Sequence, residues 1–70
     1  MILIERDVEL MIEDRFNQSR KEICLALGSS VKLFYLCLEK KFFLKVKEVI
    51  TFTTENITEA VNEFNKENLK

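Results

Sequence analysis

Residues 31 to 38, VKLFYLCL, hold one charge in eight and are rich in β-branched and aromatic side chains. They lie between Gly28, the single glycine of the chain, and the charged run EKK at 39 to 41. A run this short and this apolar, bounded in this way, reads as a strand enclosed in a core. Whatever precedes and follows it must cover it. The flanks have the patterns to do so.

Downstream, FFLKVK alternates, with Phe42, Leu44 and Val46 on one side and Phe43, Lys45 and Lys47 on the other. VITFTT alternates again, Ile50 and Phe52 opposing Val49, Thr51 and Thr53. Period-two alternation predicts strands. EKK at 39 to 41 is the first expected turn and Lys47-Glu48 the second. Neither contains Gly, Asn or Asp, so their turn chemistry is poor. The alternative is one long bent strand from residue 42 to residue 53.

The ends read as helices. Ile4, Val8, Met11, Ile12 and Phe16 recur at three- and four-residue steps with charges between them. Ser19 stands three residues before Glu22, the capping-box spacing, which predicts a second short helix from about Arg20 to Leu27. One helix through to Leu27 is the alternative. In either case Gly28 is expected to end it in a left-handed conformation. At the other end Asn56 can cap a helix whose apolar stripe is Ile57, Ala60, Val61 and Phe64, with Glu59 three residues on.

The expected architecture is therefore α+β, one domain over residues 1 to 70. An N-terminal helical segment leads into an antiparallel β-hairpin or three-stranded meander, and a C-terminal helix packs on the sheet. The core is expected to draw on Ile12, Phe16, Ile23, Leu27, Phe34, Leu36, Leu38, Leu44, Val46, Ile50, Phe52, Ala60, Val61 and Phe64. Leu33, Tyr35 and Cys37 then fall on the opposite sheet face, to be covered by the N-terminal helix or a second subunit.

Composition sharpens this. The chain is 47% hydrophobic with six Phe and no Pro, more apolar surface than 70 residues can enclose. A homodimer or a partner-binding surface is expected. Cys24 and Cys37 are far apart in sequence and there is no histidine, so no zinc site and no cofactor is expected, and the thiols are expected reduced. The opening MILIERD is too short in apolar residues for a signal peptide or a span, which places the chain in a cytoplasm. Without histidine, a Gly-rich phosphate loop or a G-x-S-x-G turn, no catalytic machinery is legible, and the chain is expected not to be an enzyme.

Charge is distributed unevenly. Residues 29 to 54 carry five lysines against two glutamates, while both flanks are net acidic. Glu5, Glu9 and Glu13 are spaced by four, as are Glu55, Glu59, Glu63 and Glu67. Each step climbs roughly 6 Å along a helix. The repetition is unfavourable at about 0.2–0.5 kcal/mol per pair. Solvated helix faces explain it simply. The functional reading is an acidic surface that docks on a basic protein, such as a nucleic-acid-handling enzyme. On this reading the chain is a small non-catalytic protein-binding module, an inhibitor or modulator encoded by a phage or other mobile element.

SRKEICLALGSS, residues 19 to 30, also resembles the centre of a DNA-binding helix-turn-helix, and the strands after it could form a wing. That alternative uses Arg20, Lys21, Lys32, Lys40, Lys41, Lys45 and Lys47. Two features oppose it. Ser29 stands where the pattern places an apolar plug, and residues 31 to 38 offer only Lys32 to base edges or phosphates. Direct nucleic-acid binding is the lesser expectation. The lysines have a simpler use in keeping strands soluble.

Overall fold

The computed structural model describes residues 2–16 and 21–69. Helix α1 (Glu5–Arg15) is followed by strands β1 (Glu22–Leu27), β2 (Val31–Leu36), β3 (Lys41–Val46) and β4 (Val49–Thr54), then helix α2 (Ile57–Asn68). The strands form one antiparallel meander in the order β1-β2-β3-β4. The α+β class, the N-terminal helix and the C-terminal helix on the sheet are as expected. No described helix is long and apolar enough to cross a membrane.

The segment expected to form a second helix is strand β1. The register places Ile23 opposite Tyr35 and Cys24 opposite Phe34, and Leu25 is an extra residue before Ala26 meets Leu33. The capping residue Ser19 lies outside the described residues, as does Arg20. Residues 42 to 53 form two strands, with Lys47 and Glu48 between them. The first turn begins earlier than EKK, at Cys37, because β2 stops at Leu36.

Both helices lie on one face. The buried set takes Ile23 and Leu25 from β1, Val31, Leu33 and Tyr35 from β2, and Phe42 and Leu44 from β3. Helix α2 adds Ala60, Val61 and Phe64, and the N-terminal segment adds Leu3 and Val8. So the faces of β2 are the reverse of the expectation. Leu33, Tyr35 and Cys37 are in the core, whereas Phe34 and Leu36 are half-buried outside it and Leu38 is 67% exposed. Phe16, Leu27 and Ile50, also expected inside, are exposed. Ile50 leaves the core because Thr51 is an extra residue in β4. Phe52 still faces Leu44 on the core side, but Ile50 pairs with Lys45 on the other.

Helix α2 starts as its sequence predicts. The Asn56 side chain accepts from the Glu59 N–H at 3.1 Å. The Glu59 carboxylate does not return the bond to residue 56. It accepts from the Thr54 hydroxyl at 2.6 Å, and Thr54 accepts from the Asn56 N–H at 3.1 Å. Asn65 binds the N-terminal segment twice, accepting from the Leu3 N–H and donating to the Leu3 carbonyl, each at 2.8 Å. This clasp seats Leu3 in the core. Gly28 is not left-handed. A Cβ there would strike the Asn68 side chain and come within 2.8 Å of a Val31 methyl, so glycine serves close approach.

The poor turn chemistry is visible in the backbone. Lys40, Lys47 and Glu48 have φ of 56°, 52° and 68°, the left-handed region that L-residues avoid. Lys40→Gly is expected to stabilise the chain. Relief of the left-handed strain outweighs the greater freedom of glycine in the unfolded chain, for a net gain of about 0.5–1 kcal/mol. A thermal melt checks it, with a rise of roughly 2–8 °C.

Tyr35 is buried under the helices. Burial raises its phenol above the ordinary 10.0, and electrostatic interaction with Cys37 raises it further. As pH climbs past 10 the unfolded chain loses this proton before the folded chain does. Stability therefore falls with pH there, while nothing is lost below it. Urea midpoints at pH 8 and pH 11 are expected to fall less in Tyr35→Phe than in the parent.

Candidate binding face

Among the described residues, both helices pack on the core side, and no element covers the other side of the sheet. The strand register sets out that outer face as three rows. The middle row is Cys24, Phe34, Phe43 and Thr53. One end row is Leu27, Lys32, Lys45 and Ile50, and the other is Glu22, Leu36 and Lys41.

The centre of the face is aromatic and basic. The Phe34 and Phe43 rings stack with centroids 5.0 Å apart and planes 10° from parallel. The Lys45 ammonium lies 5.5 Å from the Phe34 ring centre and 5.9 Å from that of Phe43. This is cation–π range. Phe43 is only 4% exposed, enclosed by its neighbours on this face, while Phe34 is half-buried. The pair is a pre-formed platform with Phe34 as its accessible part.

At one end of the face the turns 28–31 and 46–49 approach each other. The Lys47 N–H donates to the Ser30 carbonyl at 3.4 Å. They enclose a cleft of about 280 Å³ lined by Ser29, Ser30, Lys32, Lys45, Lys47 and Glu48. Glu48 accepts from Lys32 at 3.2 Å, an exposed ion pair of small stabilising effect. Three ammonium groups and one carboxylate leave the cleft net positive.

The lysines weighed for nucleic-acid contact thus divide. Lys32, Lys45 and Lys47 converge. Lys41 is at the opposite end of the face, Lys40 is in the first turn, and Lys21 is exposed just before β1. None of residues 22–27 or 31–36 is helical, so no recognition helix exists there to enter a groove.

The acidic ladders belong to the helix layer, away from this face. Glu5, Glu9 and Glu13 are exposed along α1. Glu55 precedes α2, and Glu59, Glu63 and Glu67 lie within it. Glu5 accepts from the Thr58 hydroxyl at 2.7 Å, tying α1 to α2, and Glu59 accepts from Thr54. The ladders are at least partly consumed in holding the layer together.

A second concavity, about 700 Å³, runs between α1 and β1 and is largely apolar, lined by Leu3, Leu10, Met11, Leu25 and Leu27 among others. Arg15 crosses near it to donate to the Cys24 carbonyl at 2.9 Å. Both cysteines are free thiols. Cys37 is in the core and Cys24 on the outer face, so the sheet separates them.

Sequence reasoning missed the outer face because it placed Phe34 and Leu36 inside. The signal was present: Lys32 shares their parity along β2, as Lys45 shares that of Phe43 along β3. A lysine at a period-two position marks the wet face. Comparison of the chain with models of protein families, with curated proteins and with solved structures finds no match in any of the three.

Proposed function

We propose that this chain is a small non-catalytic binding module that modulates another macromolecule, and that its contact surface is the outer face of the sheet. The observation that carries this is the absence, among the described residues, of any cover over a face that presents Phe34, Leu36, Leu27 and Ile50 with lysines between them. Apolar surface with interspersed charge is what a recognition surface offers. The acidic ladders, the sequence-level candidate, are the weaker surface, because Glu5 and Glu59 already serve the fold. A cytoplasmic setting and a mobile-element origin are part of the same reading, resting on composition alone.

A symmetric dimer through this face is disfavoured by charge. A two-fold axis along the strands exchanges β2 with β3 and sets Lys32 against Lys45. An axis across the strands exchanges the end rows and sets Lys41 against Lys45. Either juxtaposes like charges at the interface. A partner with negative charge fits better than a second copy.

Affinity capture from the source cell with three baits tests the reading. A component held by the parent chain is expected to be lost from a Lys32→Glu, Lys45→Glu bait and retained by a Glu9→Lys, Glu13→Lys bait. The reverse pattern returns the contact to the acidic ladders and overturns the sheet-face reading.

A further inference from the structure

Building on the sheet-face reading, we infer that the occupant is a single-stranded nucleic acid, one base stacking on Phe34 and a neighbouring phosphate entering the Lys32–Lys45–Lys47 cleft.

Three features point this way, two on the outer face and one on the rest of the surface. The first is Phe34 itself. It stands on a central strand, half-buried, and its ring is backed by Phe43 at 5.0 Å. A ring already held in place loses little freedom when a base lies on it, and every base has a face to offer. The second is the cleft beside it. Lys45 lies beside the stacked pair and also lines the cleft, so one side chain joins the stacking position to the anion position. Adjoining sites for a flat ring and an anion match a nucleotide's base and phosphate. An acidic polypeptide would satisfy the lysines and leave the aromatic surface without a counterpart.

The third is the charge of the remaining surface, which disfavours a duplex. Helix α1 carries five acidic residues against two arginines, and α2 three glutamates against one lysine. Neither acidic helix suits a groove between phosphates, and a base stacked on Phe34 must be free of its duplex partner. A single strand, with its bases free, can lie across the sheet while the acidic layer stays in solvent.

A fluorescein-labelled oligothymidylate of twelve nucleotides, titrated with the full chain and read by anisotropy, tests this. Three lysine contacts predict a logarithmic salt slope near −2, a loss of about 20-fold in affinity between 50 and 200 mM salt. Lys45→Glu is expected to weaken binding by more than about tenfold. Phe34→Leu keeps an apolar side chain against Phe43 and removes the stacking surface. It is expected to weaken binding about tenfold and leave the salt slope unchanged. Glu9→Gln with Glu13→Gln is expected to bind as the parent does. Circular dichroism confirms that each variant is folded.

No binding up to about 100 μM, a range typical of weak non-specific contact, overturns the inference. So does binding that ignores both Lys45→Glu and Phe34→Leu. If poly-L-glutamate binds as tightly as the oligonucleotide, and Lys45→Glu but not Phe34→Leu weakens it, the occupant is an acidic protein segment. The nucleic-acid inference then fails while the sheet-face reading stands. If neither probe binds and the three-bait capture also shows no dependence on the face, both fail.

Discussion

Leu33→Asp is expected to leave the chain unfolded, while Leu36→Asp, three residues on in the same strand, is expected to fold. Leu33 is fully buried between Ala26 and Leu44 in the register and lies beneath the helices. Removing its side chain alone costs about 2–5 kcal/mol. A carboxylate without a partner there adds several more. A chain of this size has roughly 3.5–10 kcal/mol of stability in total, so the sum exceeds what the fold can bear. Leu36 is half-buried on the outer face between Glu22 and Lys41. An aspartate there stays hydrated and gains a lysine neighbour, for a change of about 1 kcal/mol or less. Far-ultraviolet circular dichroism and urea titration distinguish the two. Equal tolerance would mean that the two faces of β2 have been exchanged.

Phe64→Ala is expected to reduce stability by about 3–5 kcal/mol, the range for deleting a buried aromatic side chain. Phe64 is fully buried and is the largest of the fully enclosed side chains among the described residues. It sits on α2, which spans β2, β3 and β4. No other helix reaches those three strands together. The cavity should also loosen the Asn65 clasp next to it. The urea midpoint should fall sharply, leaving a chain close to the limit of folding. A change below about 1 kcal/mol would show that α2 contributes little to the core, which its burial makes untenable.

The parts of this fold that were legible were those whose local pattern agrees with their tertiary use. Asn56, followed by Ile57, Ala60, Val61 and Phe64, specifies a capped amphipathic helix with one buried stripe, and that is what forms. The alternation in residues 42 to 53 likewise specifies β3 and β4. EICLAL was ambiguous because it satisfies two periods. Ile23, Cys24 and Leu27 suit a helix face, whereas Ile23 and Leu25 alternate as a strand. Glu22, three residues after Ser19, tipped the reading toward helix. Pairing with β2 decides the matter, and pairing is not a local property. The inversion of β2 had a different cause. Lys32 gave the correct face, but the mass of apolar residues on both parities hid it. For the candidate site, the lysines were visible as a group. Their division into a cleft of three and scattered others depends on the strand register, which composition does not reveal.

The meander also has a consequence in time. Each strand pairs only with its neighbour along the chain, across links of two to four residues, so these pairings close short loops and can form early. The junction between Leu3 and Asn65 spans 62 positions and must come late. Weakening that junction should therefore hasten unfolding and scarcely slow refolding. The lifetime of the native molecule would then be set where its two extremities meet, and its speed of assembly by the hairpins between them.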